Sequence, residues 1–273
     1  METLLFFHGG PGLNSNPEQK ILTGKYRKAG IDLICWNEPS ELRGTYERNF
    51  PETRQEQLLH SAERFLLDNY DGGPICIMSH SMGSQTVCWL LNKHQDKVKA
   101  VFLSAPCFDI FDADKNIFKM IENDFQKHGN ETVSQNLRSI ISKFSENIYD
   151  SIINGWKIIL ENPRLFDYYW LDKDKKDKYL SFFSDPHFTL DFDGFFEIRK
   201  TYKNVTLHKT EKRITIFHSK QDPITPNISA DYNILKYFPN LKLYNMQKSL
   251  HYPHIEESDK VLEIILDTIK GKY

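Results

Sequence analysis

No apolar stretch in this 273-residue chain approaches the ~18 residues a membrane-spanning helix requires. Its four cysteines, Cys35, Cys76, Cys88 and Cys107, stand singly, without a C-x-x-C pair. Cys35 and Cys76 fall in apolar runs, where a reduced thiol packs as a small hydrophobe. Neither sign of charge dominates: 35 basic and 37 acidic side chains leave a net charge of -2. That balance argues against a nucleic-acid or membrane-surface partner. The first residues carry no basic segment ahead of their short apolar run, so no secretory leader is expected. These features together suggest a cytoplasmic protein. There are no internal repeats and no low-complexity tract. At this length one large domain or two small ones can bury a sizeable core.

What is present begins with alternation. Short apolar runs at residues 4–7, 31–36, 75–78, 98–103, 213–217 and 241–246 read as strands. Helix-like segments fall between them, at about 17–29, 51–69, 84–94 and 225–238, with a closing helix carrying Val261, Leu262, Ile265, Leu266 and Ile269 on one face. Thr225 and Pro226 suit a helix cap and first turn. Residues 249–254 read as a loop. Strands alternating with helices imply a parallel sheet with helices on both faces. In such sheets functional loops lie beyond the carboxyl ends of the strands.

Four features stand at those ends. The first strand runs into His8-Gly9-Gly10-Pro11-Gly12. The third ends at Ser79-His80-Ser81-Met82-Gly83, a serine with a small residue two positions away on each side. Asp222 follows the fifth and His251 the last. The glycine-rich loop is either a tight turn or an anion-binding loop of backbone N–H groups. It is not a Walker loop, because no G-K-[ST] follows. Acyl transfer needs a hydroxyl, a base, a carboxylate to orient the base, and donors for the oxyanion.

In order and placement these features resemble the α/β-hydrolase superfamily, whose nucleophile elbow is G-x-S-x-G. Ser79 replaces the first glycine. The resemblance implies Ser81 as nucleophile, His251 as base and Asp222 as the acid that orients it. It also implies backbone N–H groups of Gly10 and Met82 as the oxyanion hole, with no metal and no cofactor. Asp109 is the alternative acid and His254 the competing base. His8, His80 and His218 are expected to be structural. The first strand begins almost at Met1, so the usual leading hairpin has no room, and a reduced sheet of about six parallel strands is expected.

Residues 108–205 interrupt the alternation and hold 19 of the 36 aromatics. Under the resemblance, residues 1–107 and 206–273 form the core, and 108–205 form a helical lid over an apolar pocket. His-Gly-Gly-Pro-Gly is similar to the proline iminopeptidase branch, although that branch's G-G-S-W-G elbow is replaced here. The favoured expectation is a serine hydrolase of carboxylic esters or thioesters with an apolar part, acting on a small molecule. Aminopeptidase activity, with Asp167 or Glu197 as partner for a free amine, is the alternative. A non-catalytic binding protein on the same fold is the third reading. The oligomeric state is not readable from sequence.

Overall fold

Six strands form one sheet in the order β2-β1-β3-β4-β5-β6, every neighbouring pair parallel. They are β1 (Glu2–Phe7), β2 (Ile31–Trp36), β3 (Ile75–His80), β4 (Val98–Ser104), β5 (Arg213–His218) and β6 (Leu241–Asn245). The computed structural model describes residues 1–44, 51–162, 164–184, 190–226 and 233–272. Six parallel strands agree with the expected sheet of about six.

The strands are apolar on both faces because helices cover both. Leu5 and Phe7 point to a core shared with α2 (Arg54–Asp68) and α3 (Gly83–His94), where Leu58, Leu66, Val87 and Leu91 meet them. Leu4 and Phe6, one residue out of phase, join Leu22 and Tyr26 of α1 (Asn16–Lys28) and Val261 and Ile265 of α11 (Ser258–Ile269). Full burial of each such side chain contributes about 1.5–3 kcal/mol. A period of two along β1 thus feeds two separate cores.

Between β4 and β5 the chain forms α4 (Ile110–Lys127), α5 (Glu131–Ser142), α6 (Ile148–Leu160), α7 (Lys173–Ser181) and α8 (Phe192–Arg199). Their side chains Phe118, Ile152 and Trp156 are continuous with the first core. Each helix starts on an Asx side chain accepting a backbone N–H: Asp109, Asn130, Asn147, Asp172 and Asp191.

Two expectations need correction. The helix expected from Thr225 is not seen at its start. Residues 221–226 are irregular, with turns and bends, residues 227–232 lie outside the described residues, and α9 spans Asn233–Tyr237. The Thr225 hydroxyl donates to Asp222 Oδ2 at 2.7 Å. Of the loop expected over 249–254, residues 249–252 are loop, and only Pro253 and His254 belong to a helical turn, α10 (Pro253–Glu256), with proline at its first position.

Candidate active site

Ser81 follows β3 directly and has a φ of 48°. A left-handed backbone at a non-glycine residue costs on the order of 1–3 kcal/mol and needs support. Three backbone bonds supply it: Ser81 N–H to the Ser104 carbonyl at 2.9 Å, Cys107 N–H to the Ser81 carbonyl at 3.2 Å, and Ser84 N–H to the same carbonyl at 3.0 Å. The small residue after the serine has a steric cause. A Cβ on Gly83 would lie 2.5 Å from the carbonyl oxygens of both Phe7 and His8.

His251 stands over this turn. Its Nε2 lies 2.9 Å from Ser81 Oγ and its Nδ1 2.8 Å from Asp222 Oδ2. Burial alone would raise the Asp222 carboxyl. His251 and the bonds from Ile224 N–H (2.9 Å) and Thr225 Oγ1 (2.7 Å) outweigh that and hold it below its ordinary value. Asp222 is thus an anion at neutral pH, and it favours the tautomer with the proton on Nδ1. Nε2 is then a lone pair facing the serine hydroxyl.

The remaining candidates fall elsewhere. Asp109 is exposed and caps α4 through Phe111 N–H and Asp112 N–H. His254 is buried, with Nδ1 on Ser104 Oγ at 2.9 Å and Nε2 3.5 Å from Glu18 Oε1. His80 Nε2 lies 2.8 Å from the His251 carbonyl, and burial, then His254 and His251, push its pKa well down. His8 stacks on Trp36 with ring centres 5.0 Å apart. His218 is buried at the end of β5. Asp167 is bound to Lys176, and Glu197 to Lys200 at 2.5 Å.

Gly10 and Met82 both line a cavity of about 130 Å³ that opens at Ser81 and His251. Its other walls are largely apolar, including Leu13, Ile110, Ile117, Leu160 and Phe195. The glycine loop is fixed to the helical insertion here. Asp191 N–H donates to the Gly12 carbonyl at 2.9 Å, and a Cβ on Gly12 would lie 2.2 Å from the Asp191 carbonyl oxygen. Among the described residues one group could converge on a metal: donor atoms of Glu18, His80 and His254 lie within 4.8 Å of one another. Tyr179 OH also donates to Glu18, at 2.7 Å.

Sequence reasoning missed the groups that seat His251. The Tyr169 carbonyl accepts from His251 N–H at 3.0 Å. Glu256 takes N–H bonds from Leu250, Leu171 and Asp172, clamping the histidine loop to the insertion. A carboxylate five residues after the histidine was the available signal for Glu256. No local pattern marks Tyr169.

Comparison with curated proteins gives no match. Solved structures share the fold. An esterase from Exiguobacterium antarcticum aligns over 99% of this chain and 92% of its own, with a TM-score of 0.62 at 15% identity. A serine hydrolase from Cycloclasticus zankles covers 100% and 91%, at 0.60 and 14%. An epoxide hydrolase from Bacillus megaterium covers 99% and 94%, at 0.58 and 13%. The family model of the alpha/beta hydrolase fold matches residues 2–258; with the parallel sheet and the site at its carboxyl edge, the chain belongs to this family and is an α/β-hydrolase enzyme.

Proposed function

We propose that the protein is a serine hydrolase that cleaves a carboxylic ester or thioester through an acyl-enzyme. The observation that carries this is the hydrogen-bonded line from Ser81 Oγ through His251 to Asp222, at 2.9 and 2.8 Å. Ser81 attacks the acyl carbon and His251 takes its proton. The oxyanion forms against the N–H groups of Gly10 and Met82, and His251 returns the proton to the leaving group. Water then repeats the cycle on the acyl-serine. Residues 108–205 act as a lid, and their apolar walls receive the acyl part.

A cysteine nucleophile has no support. Cys76, Cys88 and Cys107 are buried, and burial pushes the Cys88 thiol up to about 12. The aminopeptidase alternative has less support, because neither Asp167 nor Glu197 is among the residues that line the cavity beside Ser81, and each pairs with a lysine. The test is a fluorophosphonate probe together with p-nitrophenyl esters, acyl thioesters and proline p-nitroanilide. Labelling at Ser81 with ester or thioester turnover is expected. Labelling at another serine, or fast cleavage of the proline amide alone, would overturn the proposal.

A further inference from the structure

Away from Ser81 and its histidines, the mostly apolar cavity is lined by three charged residues, Asp114, Asp191 and Arg199. The Asp191 carboxylate is spent on Gly44 N–H and Gly194 N–H, with Arg54 4.0 Å away, which leaves one buried pair. That pair is Asp114 of α4 and Arg199 of α8, whose side chains are 1% and 6% exposed. Arg199 Nη2 donates to Asp114 Oδ1 at 2.9 Å, and Trp156 Nε1–H donates to the same oxygen at 3.0 Å. These bonds tie α4, α6 and α8 together. They leave Asp114 Oδ2, Arg199 Nε and Arg199 Nη1 buried with no partner. Phe195 and Tyr202 flank the guanidinium, 5.2 and 6.0 Å from it. A helix tie alone would not need three buried polar atoms left unsatisfied, each a sizeable cost. The adjoining cavity is where partners can enter.

We infer that this wall is a subsite for a neutral hydrogen-bonding group, a hydroxyl or a carboxamide, carried on the acyl chain of the substrate. The inference rests on the serine-hydrolase reading above. Charge decides the class. The pair is balanced, so a free carboxylate would meet Asp114 and an ammonium would meet Arg199, each adding an uncompensated buried charge. A neutral group adds none. Its oxygen accepts from Arg199 while its O–H or N–H donates to Asp114 Oδ2. An alkyl end satisfies neither side.

The test uses p-nitrophenyl esters from butanoyl to octanoyl, each ending in methyl, hydroxyl, carboxamide, carboxylate or ammonium. At one chain length the hydroxyl or carboxamide ester should exceed the methyl ester in kcat/KM by roughly tenfold or more. The carboxylate and ammonium esters should fall below it. In the double variant Asp114→Leu/Arg199→Met the hydroxyl-to-methyl ratio should drop to about one; the wild-type series decides even if that variant does not fold. A methyl ester best at every length, a charged ester best at any length, or a ratio that survives the double variant would overturn the inference. Fluorophosphonate labelling of the same preparation separates the failures. Labelled Ser81 with no polar preference removes this subsite alone, whereas an unlabelled Ser81 removes the hydrolase proposal and the subsite with it.

Discussion

Ser81, His251 and Asp222 act as one unit in the proposed mechanism, so their losses should not add. Ser81→Ala should fold normally and lose roughly 10³-fold or more in kcat, and His251→Ala about as much. Asp222→Asn should cost on the order of 10³–10⁴-fold, because an amide no longer selects the Nδ1–H tautomer. Steady-state kinetics on one p-nitrophenyl ester checks all three; a doubly substituted enzyme much slower than either single variant would contradict the unit. Glu38 offers a different residue-scale test. Both its carboxylate oxygens face Gly12 N–H, at 3.1 and 3.3 Å, and burial raises its pKa from 4.5 to about 8. Below 4.5 both the folded and the unfolded chain hold this proton. As pH rises from 4.5 toward 8 the unfolded chain releases it while the folded chain keeps it, so stability falls across that window. Glu38→Gln keeps an acceptor for Gly12 and removes the slope. Tm measured at intervals over that window should decline for the wild type relative to the variant, and parallel curves would contradict the assignment.

At the scale of elements, each helix between β4 and β5 depends on one Asx cap. Asp109→Ala should cost about 1 kcal/mol of stability through loss of the α4 cap. It should leave ester turnover within a few-fold, since Asp109 does not touch His251. Urea denaturation and kinetics on the same variant read both effects. A collapse of activity in the folded variant would instead move the catalytic acid to the end of β4. The caps also explain why this region was hard to read. A single Asp or Asn before a helix is a weak signal, and the aromatics of these helices pack both inward on the core and toward the cavity.

For the whole molecule the testable property is selectivity. A cavity of about 130 Å³ is close to the size that accommodates a benzene-sized apolar group. Each buried methylene contributes about 0.8 kcal/mol, roughly fourfold in kcat/KM. Straight-chain p-nitrophenyl esters should therefore gain with length up to about six carbons and then fall. A flat series from two to ten carbons would show that these walls do not hold the acyl part. The shared fold does not decide the matter, since an esterase and an epoxide hydrolase both align with this chain at 15% identity or less.

The sequence by itself determined the six-stranded parallel sheet and the features at its carboxyl edge. Those follow from short-range physics: apolar runs that must be buried on both faces, and small residues where the chain must pass closely, as at Gly83. The tertiary structure decided which distant groups meet. Asp222 is 29 residues from His251, and Ser81 is 170; the resemblance favoured Asp222 over Asp109 and His251 over His254, but no local pattern shows which side chains meet. The course of the loops brings them together, because those after β5 and β6 carry Asp222 and His251 back past β4 to Ser81, whereas Asp109 turns outward into a cap and His254 inward toward Glu18. The unsatisfied pair of Asp114 and Arg199 was invisible for the same reason. Each residue lies on an ordinary helical segment, and only the packing of α4 and α8 against α6 buries them together beside the serine.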